Sequence, residues 1–245
     1  MRTKLGLLGL CAVVVGIMSM SAGAAQGATL SWLILNSTHT TATELKALLV
    51  GTKDTDLTLL AELAGLKVTI TCGKFALNGV NLEVGGKLTE GGKVSFSECA
   101  IYKKGTLEEK DTRCTVKSAG AAAGTIETGE GKGELVLIGG VVETKVEPKA
   151  GPTGTFATIR FEGAECPYPE SNQVHGTLVL KDCLGIPTTH KVTHLVEGDA
   201  LNTLLYVGGH SAKQLEVTKI HGSAFISLGK GAVDHTGLEW AAMDV

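Results

Sequence analysis

Aromatic residues make up only 4% of this 245-residue chain, and arginine occurs at three positions, Arg2, Arg113 and Arg160. The first shortage argues against an outer-membrane barrel, which carries two aromatic girdles and long lipid-facing alternation. The second argues against nucleic acid as a partner, because phosphate recognition leans on grouped Arg and Lys. No pair of cysteines has the CxxC spacing of a zinc site. After the first twenty residues, no apolar run approaches the roughly 20 residues that a membrane-spanning helix needs.

What is present begins with a leader. Arg2 and Lys4 precede an apolar stretch from Leu5 to Met18, and Ala22-Gly23-Ala24 has the small-x-small form of a signal-peptidase site. Residues 1–24 therefore read as a secretory signal peptide, with cleavage between about 24 and 28. Cys11 sits too early, behind Leu10, to be a lipidation site. Without Arg2 and Lys4 the 22 cations fall to 20 against 25 acids, a formal charge of −5 that suits ordinary solubility. Residues 25–245 read as a single secreted β domain with possibly two similar disulfide-pinned halves, located outside the cell or in its envelope, with no membrane span after cleavage.

The body of the chain has a strand-and-turn composition, rich in its 33 glycines. Leu30 to Leu35 reads as a strand around Trp32. Leu45, Leu48 and Leu49 have helical spacing, so Thr43 to Val50 is the place for one short helix, with a strand as the alternative. From Asp56 the period is two, and Leu57 to Leu63 faces Leu66 to Cys72 across Ala64-Gly65 as a hairpin. Alternating runs follow at 80–84, 93–97, 133–138, 141–146, 155–161, 176–180, 191–196, 204–207, 215–220 and 223–228. Gly85-Gly86, Gly91-Gly92, Gly139-Gly140 and Gly208-Gly209 read as the turns between them. The small-residue stretch 118–124 and the Pro-containing stretch 147–154 read as loops. Many short strands with almost no helical pattern predict an all-β fold, an antiparallel β-sandwich or closed barrel, behind an N-terminal signal helix.

The cysteines after the leader are Cys72, Cys99, Cys114, Cys166 and Cys183, and an exported chain makes disulfides their default. Gly92 to Cys99 and Gly176 to Cys183 share an order of turn, glycine, strand, acid and cysteine. That echo predicts two hairpins, one pinned by Cys72–Cys99 and the other by Cys166–Cys183, with Cys114 left as the free thiol. Pairing of Cys99 with Cys114 is the competing arrangement.

Cys99 and Cys114, the run Ser118-Ala119-Gly120-Ala121-Ala122-Ala123-Gly124, the strand Thr125-Ile126-Glu127-Thr128 and Lys132-Gly133-Glu134-Leu135 together carry a likeness. The chain resembles a family of secreted β-rich proteins of high-GC Gram-positive bacteria, over roughly Cys72 to Cys183. The resemblance implies secretion and β-structure, and brings no activity with it.

Several constellations imitate chemistry. Gly209-His210-Ser211 follows a strand as a nucleophile elbow would, but Lys213 stands where the elbow needs glycine and no helix pattern follows. Asp234 and His235 come next in triad order, yet neighbours on a strand point to opposite faces. A serine hydrolase built on Ser211 with His235 and Asp234, or with His221, is therefore the weaker alternative, and no catalytic residue is assigned. His190 and His194 would sit about 13 Å apart on a strand and read as solvent-facing, so no metal is assigned. Gly129 to Gly133 lacks the GK[ST] ending of a phosphate loop. Glu108, Glu109 and Asp111 with Lys103, Lys104 and Lys110 read as a solvated loop without the acid spacing of a calcium site. Trp32, Trp240 and Tyr168 read as isolated aromatics. The sequence thus points to a non-enzymatic scaffold without cofactor, one that binds an envelope or extracellular partner or assembles through strand edges. It names neither that partner nor the oligomeric state.

Overall fold

The computed structural model describes residues 30–35, 46–63, 66–104, 106–181, 186–194, 204–208, 215–217 and 219–244. The leader, Cys183 and Ser211 lie outside them. The described residues form strands and no helix, and so none long and apolar enough to cross a membrane. In chain order the strands are β1 (Leu30–Leu35), β2 (Lys46–Lys53), β3 (Leu57–Leu63), β4 (Leu66–Asn78), β5 (Asn81–Glu83), β6 (Lys87–Lys103), β7 (Thr115–Lys117), β8 (Ile126–Glu127), β9 (Gly131–Ile138) and β10 (Val141–Pro148). They continue with β11 (Thr155–Glu162), β12 (Ser171–Gly176), β13 (Leu178–Lys181), β14 (Thr189–His194), β15 (Leu204–Gly208), β16 (Leu215–Val217), β17 (Lys219–His221), β18 (Ser223–Leu228) and β19 (Glu239–Asp244).

Eight of these close a ring. Following hydrogen-bonded neighbours gives β6, β5, β2, β18, β14, β13, β10 and β9, and β9 pairs β6 again. Every pairing is antiparallel. The β9–β10 hairpin turns on Gly139-Gly140, both at positive φ, which glycine adopts without steric penalty. Outside the ring wall, Glu134 pairs across to Lys145 and Lys132 to Glu147, so opposite charges line up on the solvent face. Inside lie Ala47, Leu49, Leu82, Leu135, Val142, Val192, Ala224, Ile226 and Leu228, the core of the barrel. The β1–β19 ribbon adds Trp32, Ile34 and Trp240 to that core.

The strand β6 is 17 residues long and serves two bodies. Its first residues belong to the ring, while Lys93 to Lys103 pair with β4, which pairs β3 and then β17. A second sheet, in the order β16, β15, β12, β11, β7, faces this extension. Between them lies a separate core that includes Val68, Ile70, Ile101, Val116, Ile159, Phe161 and Val174. The architecture is a closed barrel continued into a sandwich by one shared strand.

Several expectations change. The segment read as a possible helix is strand β2, because Ala47 and Leu49 must point into the barrel while Lys46 stays outside. Gly91-Gly92 is no turn, but the point inside β6 where the register against β9 slips. Cys72 and Cys99 face each other across β4 and β6 with Cα atoms 3.9 Å apart and are bonded. The pairing of Cys166 with Cys183 is corrected: Cys166 bonds Cys114, so Cys114 is no free thiol. The reason is the pairing of β7 with β11, which sets Thr115 against Glu162 and brings the residues just beyond each into reach.

Candidate functional site

The residues named as a possible hydrolase site do not assemble among the described residues. Asp234 lies exposed in the loop before β19, where its carboxylate accepts a hydrogen bond from the Thr236 amide at 3.0 Å. The Thr236 side chain and backbone hold that carboxyl below the usual range. His235 Nδ1 has no partner, so the Asp–His hydrogen bond that would orient a general base is absent. Ser211 falls outside the described residues, and of His221 only the backbone is described. No group of three His, Cys, Asp or Glu among the described residues could hold a metal ion.

His190 is not solvent-facing. It is 2% exposed, and its Nε2–H donates to the Trp240 carbonyl at 2.6 Å, an acceptor that requires the proton on that nitrogen. The ring meets the Trp240 indole edge-on at 4.3 Å. The aromatics are not isolated either: Trp32 and Trp240 lie 6.0 Å apart, and Phe161 and Tyr168 5.2 Å apart. Asp111, read as part of a solvated loop, is 1% exposed and grips Arg113 with both oxygens, at 2.9 and 2.8 Å.

What the fold does build is a chamber of about 290 Å³ between the two cores. Its wall combines barrel residues such as Leu49, Leu180 and Ile226 with sandwich residues such as Phe96, Phe156 and Val174. It exists because β6 leaves the ring. Where that strand continues into the sandwich, the inward side chains of β4 and β6 no longer meet an opposite barrel wall at close range. Phe75 reaches into this space over Gly51, where a Cβ would stand 2.3 Å from the ring. Most of the wall is aliphatic or aromatic, the setting that small-molecule pockets use for the bulk of a ligand.

At one edge of the chamber a polar clasp ties the end of β2 to the start of β18. Ser223 Oγ–H donates to Asp54 at 2.6 Å, the Ser223 amide donates to Thr55 Oγ1 at 2.9 Å, and Lys191 pairs with Asp54 at 2.7 Å. The hydrogen bonds from Lys191 and Ser223 hold the Asp54 carboxyl below its ordinary range. Such a carboxylate is a poor base for Ser223, so the cluster is a fastener and not a nucleophile with its activator. Sequence reasoning misses both clasp and chamber, since Asp54 and Ser223 stand 169 residues apart and no local motif marks either. A scan of protein-family models, a search of curated proteins and a search of solved structures each find no match to this chain.

Proposed function

We propose that this chain is a non-enzymatic binding protein that encloses an apolar small molecule in the chamber between barrel and sandwich. The observation that carries the reading is the volume and its lining, about 290 Å³ walled almost wholly by hydrocarbon side chains. Protein interiors leave few voids larger than a water molecule. Leaving this volume unfilled would cost about 7 kcal/mol at the per-volume rate of engineered cavities. That is comparable to the roughly 5–15 kcal/mol by which a domain is stable at all. A chain that maintains such a space gains most by filling it with a ligand, and the volume is about twice that of the engineered 150 Å³ cavity that takes up benzene.

Two disulfides among the described residues support a working place in an oxidising compartment, outside the cytoplasm. The reading is tested by titrating the purified protein with the apolar fluorophore N-phenyl-1-naphthylamine. One saturable site per chain is expected, together with its displacement by short hydrocarbons. Fluorescence that rises without saturating, or that is unchanged by the hydrocarbons, would remove it.

A further inference from the structure

The chamber is not uniformly inert. Trp240 and Thr144 both line it, they are 1% and 4% exposed, and neither the indole Nε1–H nor the threonine Oγ1 has a hydrogen-bond partner. Thr144 shares its inward face of β10 with Val142 and Val146, and β19, which carries Trp240, packs against β10. A buried polar group without a partner is costly, and the great majority of such groups in folded proteins are satisfied. Other polar side chains on the wall are already engaged. Thr89 donates to the Asn81 carbonyl, Thr128 accepts from the Val94 amide, Ser223 belongs to the clasp, and the Lys132 ammonium lies 3.4 Å from Glu147.

We propose, resting on the reading of the chamber as a ligand site, that it selects an uncharged lipid-like molecule bearing one oxygen acceptor, such as a ketone, ester or alcohol. The indole Nε1–H donates to that oxygen. The Thr144 hydroxyl donates to the same group or accepts from an alcohol. An ionised head is disfavoured, because the wall offers no unpaired cation and an isolated charge in an apolar site is far more costly than a neutral dipole.

The test compares n-octane, 2-octanone and octanoate at pH 8, each displacing the naphthylamine fluorophore, in the wild type and in Trp240→Phe and Thr144→Val. Thr144→Val is nearly isosteric, so it keeps the measurement valid if the tryptophan variant fails to fold. Each substitution is expected to weaken 2-octanone by about five- to tenfold, the worth of one neutral hydrogen bond, and to leave n-octane unchanged. Octanoate is expected to bind most weakly of the three. Equal changes for ketone and alkane, no change for the ketone, or tightest binding of octanoate would each overturn the polar selection while leaving the chamber a ligand site. Failure of all three to displace the fluorophore from the wild type would overturn the chamber reading itself.

Discussion

Thr69 and Thr71 occupy adjacent outward positions of β4 and are buried with hydroxyls that meet no partner among the described residues. Replacing an unsatisfied hydroxyl by a methyl of the same shape removes the cost of burying it. Thr71→Val is expected to raise the unfolding free energy by about 1 kcal/mol, measured by urea titration. Asp111 presents the opposite case. Its bidentate bond to Arg113 holds the carboxyl below its ordinary range, so its contribution is present above the unfolded value near 3.9 and fades as pH falls through the lower folded value. Asp111→Asn is expected to lose about 2 kcal/mol at neutral pH, with the loss shrinking in acid. Beside it, Gly163 has φ of 149° and a Cβ there would stand 1.9 Å from the Arg113 carbonyl oxygen. Because the obstacle is backbone, no rotamer relieves it. The charged stretch 103–111 shows why Asp111 was illegible in the sequence: only the fold distinguishes the one carboxylate that turns inward.

At the scale of elements, the hairpin of β3 and β4 was fully legible. Its alternation continues unbroken through Leu57 to Cys72, and Leu57 faces Cys72 as the period demands. The partner of Cys166 was not legible. It follows from β7 lying beside β11, a contact between segments some 45 residues apart that no local pattern announces. The helix-like spacing of Leu45, Leu48 and Leu49 misled for a related reason, since the neighbours that make β2 a strand are β5 and β18, one of them at the far end of the chain. The two disulfides close loops with sequence separations of 27 and 52 residues. In the chain-entropy model, removing Cys114–Cys166 by paired alanine substitution is expected to cost about 4 kcal/mol and removing Cys72–Cys99 slightly less. Alkylation before reduction, followed by peptide mapping, is expected to leave all four of these cysteines unlabelled; labelling of Cys114 would contradict the bond.

For the whole molecule, the all-β character could be read from the turns and periods, but the chamber could not. It arises where β6 passes from one core to the other, so it depends on how two cores are spaced and not on any residue's identity. Its boundaries can be altered by design. Ala224 lines the chamber, and Ala224→Phe is expected to abolish fluorophore binding while leaving the thermal midpoint unchanged or higher, because the added ring occupies space that otherwise weakens packing. Acid supplies a second probe. The depressed Asp54 carboxyl stays ionised down to values below its ordinary 3.8, so ligand affinity is expected to be flat from pH 8 to about 5 and to fall only as the clasp protonates below about pH 4.

The described strands nearest the two ends of the chain are partners: β1 pairs with β19, and β2 with β18. During synthesis the opening segments therefore have nothing to hydrogen-bond until the final twenty or so residues have left the ribosome. Contacts of such long sequence separation form late and slowly. A polypeptide arranged in this way remains threadable for its entire translation, and becomes a sealed vessel only after the last strand arrives.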